Sequence, residues 1–342
     1  MEIKHQNIKF YILIPVYNTS NYVKKCLSSI INQTFTNWKA IVIDDCSTDN
    51  SFEVLKEFQM LDKRIWVYRN KTNCGPGLTR NIAINLVKEH LEEETQNYIV
   101  FIDSDDYVSE LYLQSLAEII LSEKPDVIFL DVVQEDEYGK PIKFQKLSSY
   151  KNKELEKLIR HQMTGKVPWG GVRKVAKAEL IFNHNIEYTD DVIGEEAIYS
   201  FKVLFHATKV AFLEGYHYHH VIRKNSQSSS YHEDPYGEVC SKLESTLKYL
   251  NIYERYKKTY YSFAFTALIV SIYRMSNYYP FKKALSLSKQ KFKKYKQKYD
   301  FNLDKNSLEK RVRFILPFAK LNLVALIVLI AKVKKRFDKK AK

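Results

Sequence analysis

Four cysteines in 342 residues, at positions 26, 46, 74 and 240, leave no CxxC pair. This spacing offers neither a zinc site nor a disulfide framework, and it predicts reduced thiols in a cytosolic compartment. The first nine residues are polar, and the apolar run behind them is a short strand interrupted by Pro15, so no secretory leader is expected. A membrane-spanning helix needs about 20 apolar residues. The last apolar run, 321–331, is shorter and contains Asn322. Neither a GxGxxG nor a P-loop pattern occurs; Asn73-Cys74-Gly75-Pro76-Gly77 is glycine-rich without matching either. What remains is a chain 45% apolar, enough for a substantial core in one large domain with an extension, or in two.

Charge is unevenly placed. Of the formal +14, residues 281–342 hold 20 lysines and arginines against 4 acids, a local +16, while the other 280 residues carry 34 basic and 36 acidic groups. A nucleic-acid-binding surface would spread over the folded body, so no nucleic-acid partner is expected, and the basic tail needs its own explanation.

Tyr98-Ile99-Val100-Phe101-Ile102 is an uncharged, β-branched and aromatic strand running into Asp103-Ser104-Asp105-Asp106. Ligands bind at the carboxyl ends of strands in open α/β sheets. Carboxylates this close repel one another unless a cation joins them, so the tetrad fits a hard divalent ion, Mg²⁺ or Mn²⁺. A solvated helix N-terminus capped by aspartates reads the same way. Upstream, strand 10–14 ends at Pro15-Val16-Tyr17-Asn18, and a helix over 22–31 follows. Strand 38–43 ends in Asp44-Asp45-Cys46-Ser47-Thr48-Asp49, ahead of a helix over 51–58. Strand 65–69 leads to the glycine-rich turn and a helix over 79–88. Strand-helix alternation repeated four times predicts a mostly parallel sheet with helices on both faces. Each strand then delivers polar groups along one edge. Tyr17 could stack on a base, Asp45 accept from a uracil-like N–H, and Arg80 pair with phosphate. Taken singly, these residues also serve as turn and cap formers.

Together Pro15-Val16-Tyr17-Asn18, Asn32-Gln33-Thr34, Val42-Ile43-Asp44-Asp45-Cys46-Ser47-Thr48-Asp49, Arg80-Asn81 and Phe101-Ile102-Asp103-Ser104-Asp105-Asp106 resemble the family 2 glycosyltransferases of the GT-A fold, over about residues 8–230. The resemblance implies transfer from a nucleotide sugar, often a UDP-sugar, in bacterial surface-polysaccharide synthesis. It implies a nucleotide-sugar site from Pro15, Tyr17, Asp44, Asp45, Asn73, Gly75, Arg80, Asp103, Ser104 and Arg223. Metal ligands are expected from Asp103, Asp105, Asp106 and His219. Cys46 stands where the family more often has glycine; small residues fit that turn.

Beyond strand 126–131 the alternation loosens into a polar helix at 151–162 and a short one at 176–182. Trp169 beside Gly170 and Gly171 suits stacking on an acceptor sugar, or a core turn. The stretch 188–198 opens a helix continued by 199–205. Its acids, Asp191, Glu195 and Glu196, are favourable dipole partners. The resemblance adds a catalytic base at Glu196, with Glu195 or Asp191 as alternatives, glutamate replacing the usual aspartate of that pair. After strand 209–213, His217, His219 and His220 read either as strand residues of alternating exposure or as metal ligands, and Arg223 as a pyrophosphate contact.

From 236 onward the pattern is helical, with 260–275 apolar, 282–298 basic and seven basic residues in 332–342. The tail reads as a helix in the interface of an anionic leaflet, as a short span, or as a bundle with a basic face. The expected organisation is a GT-A domain over 1–232, divided into a nucleotide half (1–110) and an acceptor half (111–232). A helical extension over 233–342 would hold the protein at the inner membrane face near a glycan or lipid-linked acceptor. A non-catalytic scaffold keeping the same fold is the alternative.

Overall fold

A computed structural model describes residues 7–92, 94–191, 193–223 and 231–340. The chain forms two compact units, Met1–Leu158 with Trp169–Asn225, and Ile159–Pro168 with Ser226–Lys342. Residues 159–168 group with the second unit.

In chain order the first unit's elements begin β1 (Ile8–Val16), α1 (Val23–Ile31), β2 (Trp38–Asp44), α2 (Ser51–Leu61), β3 (Ile65–Arg69), α3 (Pro76–Lys88) and β4 (Gln96–Phe101). Next come β5 (Tyr107–Val108), α4 (Tyr112–Glu123), β6 (Val127–Glu135) and β7 (Pro141–Gln145). Helix α5 (Leu155–Met163) precedes β8 (Lys174–Lys177), α6 (Ala178–Asn183), α7 (Glu196–His206) and β9 (Val210–Val221). The sheet runs β3-β2-β1-β4-β8-β6-β9-β5, with β7 beside β6. Strands β1 to β4 are mutually parallel, as their alternation with helices predicts. Past β4 the sheet is mixed: β8 is antiparallel to both β4 and β6, β9 parallel to β6, and β5 antiparallel to β9.

Residues 10–14 of β1 are wholly buried, consistent with cover on both faces. Helix α1 turns Val23, Cys26, Leu27 and Ile30 inward. Strand β1 does not stop before Pro15 but pairs with β2 through Val16↔Asp44. Proline is tolerated because its missing N–H faces the β4 side, where pairing with β1 has ended at Leu13↔Phe101. The same stagger releases Asp103 to Asp106 from the sheet beside the end of β1.

The strand expected at 209–213 continues to Val221. Its register shifts past Leu130↔Leu213 and resumes at Val132↔Tyr218. Gly215, at φ 96°, sits in this irregularity. The resumed half carries Tyr218 and His220 on one face and His217 and His219 on the other.

The second unit holds α8 (Gly237–Tyr249), α9 (Tyr253–Tyr278), α10 (Phe281–Lys298), α11 (Lys310–Lys320) and α12 (Val324–Lys340). Its core is rich in aromatic groups from α9 and α10, including Tyr256, Tyr260, Phe263, Phe265, Phe292 and Tyr295. Helix α12 buries Val324, Ile327, Val328 and Ala331, yet Leu326, Leu329 and Val333 on its other side are exposed, as are Phe314 and Leu321 nearby in the chain. No helix among the described residues is long and apolar enough to cross a membrane.

Candidate active site

The first corner lies where β1 and β2 end. The Asp45 amide donates to the Val16 carbonyl at 2.7 Å, bringing the acidic turn against Pro15 and Tyr17. Tyr17 is 39% exposed and Asp45 is buried. One Asp45 oxygen accepts from the Cys74 amide (2.9 Å) and the Asn70 side chain (2.8 Å), the other from the Gly75 amide (2.8 Å). Asp45 therefore fixes the loop that starts α3, where Gly75 at φ 80° and Pro76 at the first helical position set the turn. Asn73 closes the loop by donating to the Asp45 carbonyl at 3.3 Å. Asp44 is fully buried, with Arg69 Nε at 3.1 Å and the Ser47 amide at 3.2 Å. Cys46 holds a left-handed backbone, φ 61°.

A single buried guanidinium crosses the centre. Arg80, on α3, reaches Asp103 Oδ1 at 2.7 Å and Glu195 Oε1 at 3.2 Å. The residue expected to meet phosphate is thus given to two carboxylates from distant parts of the chain. Gly77, one turn earlier, allows the approach: a Cβ there would lie 2.3 Å from the Thr189 carbonyl and 3.2 Å from Glu195 Cγ.

The acidic tetrad divides by role. Asp106 is buried and satisfied by the Val221 amide (2.8 Å), the Tyr218 hydroxyl (2.8 Å) and His220 Nδ1 (3.1 Å). Tyr218 also accepts from the Asp103 amide at 3.2 Å, tying both aspartates to β9. Ser104 accepts from the Thr19 hydroxyl at 3.0 Å. Asp105 faces Arg223 Nε at 2.5 Å. Burial, then the charges of Asp106 and Asp103, raise its carboxyl to about 6 despite that arginine. Oxygens of Asp103, Asp105 and Asp106 lie within 4.8 Å of one another. Hard oxygen donors with surplus negative charge suit Mg²⁺ or Mn²⁺. Asp106 is fully buried and held by three donors, whereas Asp103 and Asp105 are partly exposed and each meets one arginine, so Asp103 and Asp105 are the ligands such an ion would use. His219 points elsewhere: it meets Glu135 at 2.9 Å and stacks on Tyr107 at 4.4 Å. Strand alternation brings His220 to the cluster instead.

Helix α7 starts at Glu196, later than the pattern suggested. Residues 188–191 and 193–195 are non-helical, with the Thr189 amide on the Glu195 carbonyl at 3.3 Å and Gly194 at φ 87°. Asp191 is buried and accepts from the Thr189 hydroxyl. Burial, and then the neighbouring Glu196, raise the Glu195 carboxyl to about 7 against the opposing Arg80. Glu196 Oε1 accepts from the Gly171 amide at 2.9 Å, joining the expected base to the expected acceptor segment. Gly170, at φ 47°, and Trp169 both give their carbonyls to Lys174 Nζ, each at 2.7 Å.

Sequence reasoning gave Tyr218 and Lys174 no role, took Gly77 only as a turn residue and His220 only as one of three clustered histidines. Alternation along β9 was the available signal for Tyr218 and His220. A lone lysine in a lysine-rich chain carries none.

Residues 11–181, half of the chain, match the profile of Glycosyl transferase family 2, and the protein belongs to that family. It is 30% identical over 234 residues to Glycosyltransferase GlyA of Streptococcus pneumoniae serotype 4, covering 64% of this chain and 31% of GlyA. It is 24% identical over 227 residues to the poly(ribitol-phosphate) beta-N-acetylglucosaminyltransferase TarS of Staphylococcus aureus (strain Mu50), covering 65% and 37%. The chain thus spans about a third of the length of both relatives. The crystal structure of S. aureus TarS 1-349 in complex with UDP-GlcNAc shares the fold, with a TM-score of 0.69 and 20% identity over 96% of this chain and 92% of that one. The architecture is the GT-A fold with a helical C-terminal region.

Proposed function

We propose that the protein is an inverting glycosyltransferase using a nucleotide sugar, a uridine diphosphate sugar, and a hydroxyl of a glycan or lipid-linked glycan as acceptor. The observation that carries this reading is the Arg80 bridge. It couples Asp103, from the cluster suited to a metal-bound diphosphate, to Glu195, beside the expected base. Glu196 accepts the proton of the attacking hydroxyl, whose oxygen forms the new bond to the anomeric carbon as the bond to the diphosphate breaks. The electron pair leaves with the nucleoside diphosphate. One displacement inverts the anomeric centre and needs no covalent nucleophile. Mn²⁺ or Mg²⁺ on Asp103 and Asp105 would supply positive charge for the departing diphosphate. In this reading the exposed Tyr17 would stack on the base, beside the turn that Asp44 and Asp45 brace, and Trp169 and Gly170 would serve the acceptor.

A place on the inner face of the membrane belongs to the same reading. It rests on the second unit's exposed Phe314, Leu321, Leu326, Leu329 and Val333, with Lys310, Arg311, Arg313 and Lys320 among them and no acid from 310 to 334.

UDP-GlcNAc turnover with Mn²⁺ tests the catalytic claim. Loss of turnover in Asp105→Asn and Glu196→Gln, with each variant folded, supports it. Unchanged turnover in both removes it and leaves a scaffold of the same fold.

A further inference from the structure

Lys174 is 2% exposed, although nothing in its sequence neighbourhood asks for burial. Its ammonium has three protons. All three find acceptors: the Trp169 carbonyl at 2.7 Å, the Gly170 carbonyl at 2.7 Å and the Ser200 hydroxyl at 2.8 Å. No carboxylate is hydrogen-bonded to it among the described residues, so carbonyl and hydroxyl dipoles hold the charge. Isolated ammonium groups are costly to bury, and such an arrangement persists only when the surrounding structure requires it. Here two of the three acceptors belong to consecutive peptide groups of one segment. The next residue, Gly171, gives its N–H to Glu196 Oε1. Ser200 lies one helical turn beyond Glu196 on α7. The Trp169–Gly171 segment is therefore gripped twice, by a cation on its carbonyls and a carboxylate on its amide, and both grips are anchored to the same helix.

The fit is tight. A Cβ on Gly171 would stand 2.2 Å from the Tyr188 hydroxyl, and one on Gly170 would stand 2.3 Å from Arg173 Nη1. Tyr188 in turn stacks on Tyr199 at 4.1 Å. The segment has little room to settle elsewhere while the ammonium holds it.

We propose that Lys174 is a positioning residue that sets the Trp169–Gly171 segment against Glu196 and thereby orients that carboxylate for its proton. The proposal rests on the reading of Glu196 as the base. Glu196 Oε1 is committed to Gly171, whereas Oε2 has no hydrogen-bond partner among the described residues and is the oxygen left for an acceptor hydroxyl. Releasing the segment lets Glu196 turn, so the proton acceptor is lost while the nucleotide corner, built from β1, β2 and α3, is untouched.

The test uses the full chain labelled with fluorotryptophan, its Trp169 fluorine resonance assigned with Trp169→Phe. In Lys174→Met the Trp169 resonance should shift or broaden while those of Trp38 and Trp66 stay in place. UDP affinity in the presence of Mn²⁺, read by calorimetry, should stay within about twofold. UDP-GlcNAc turnover should fall about 10- to 100-fold in kcat with little change in KM, the pattern of lost positioning. Lys174→Arg, which keeps charge but not the three-donor geometry, should recover part of the kcat. A general structural role would instead weaken UDP binding and disturb all three resonances. If Lys174→Met does not fold, Ser200→Ala decides: removing one acceptor should move the same resonance and lower kcat by a smaller factor. An unmoved Trp169 resonance, or an unchanged kcat in a folded variant, overturns the proposal. Absence of turnover in the wild type overturns the base assignment, while the fluorine readout still reports whether Lys174 holds the segment.

Discussion

Gly77 offers a sharp test of the site's packing. An alanine Cβ there would sit 2.3 Å from the Thr189 carbonyl oxygen, about 1 Å inside ordinary contact. The obstructing atom is backbone, so no side-chain rotation relieves it, and the backbone at Thr189 must retreat by about that distance. Local propensity argues the other way, since alanine in a helix is favoured over glycine by roughly 0.5–1 kcal/mol. Overpacking a tight contact costs about 1–3 kcal/mol, so the net change is a loss of about 1 kcal/mol. The larger consequence is catalytic. Glu195 and Glu196 follow the displaced loop, and a shift of about 1 Å in a reacting group can cost about 100-fold in rate. Gly77→Ala should therefore lower UDP-GlcNAc turnover by about two orders of magnitude while losing little stability in urea. Gly139→Ala is the control. Its φ of 81° imposes backbone strain, but a Cβ there meets nothing within 4 Å. It should lose about 1–2 kcal/mol and keep full turnover. Turnover within about threefold of wild type in Gly77→Ala would refute the argument that this helix and the base loop are in forced contact.

Other expectations follow from single contacts. Arg80→Met strands Asp103 and Glu195 around a buried hole and should cost about 3 kcal/mol in urea unfolding, because one member of a buried charge cluster is removed; a loss below about 1 kcal/mol would show that the bridge is not structural. Cys46→Gly relieves a left-handed backbone worth about 1–2 kcal/mol but frees the unfolded chain by about 0.5–1 kcal/mol, so a net gain of about 0.5–1 kcal/mol is expected from thermal unfolding. The raised Glu195 carboxyl, about 7 when folded, lies above its unfolded value near ~4.3. The folded state thus binds the extra proton in that window, and stability should fall as pH rises through it, a slope that Glu195→Gln removes. Lys174, lowered by burial to about 7, acts in the opposite sense: the unfolded chain holds more protons between about 7 and ~10.4, and stability should rise with pH there, a slope lost in Lys174→Met. Flotation with phosphatidylcholine vesicles containing about 30% phosphatidylglycerol should recover the wild type at low salt and lose Leu326→Glu/Leu329→Glu. Equal recovery of that variant would remove the membrane reading.

Much of the architecture is written in local patterns. Three buried strands and a half-buried edge strand, alternating with helices, specify the parallel half of the sheet, because periodicity and connection length leave few other arrangements. Polar groups at the strand ends, from Tyr17 to Asp106, were legible for the same reason: their positions along the chain place them on one edge. Long-range competition for partners was not legible. Asp45, Arg80 and His219 each carry chemistry suited to a ligand, yet their protein partners lie 23 to 115 residues away. Nothing local reveals that Arg80 will be shared by Asp103 and Glu195.

The sequence by itself determined the family, the strand-end placement of the acidic residues and the basic, apolar character of the tail, since each depends on residues close together in the chain. Only the tertiary structure decided which carboxylates are braced and which remain available, that His220 rather than His219 meets the aspartates, and that a buried lysine holds the Trp169 segment. Those outcomes depend on desolvation and on partners supplied by other elements, and neither is defined until the chain has closed around them.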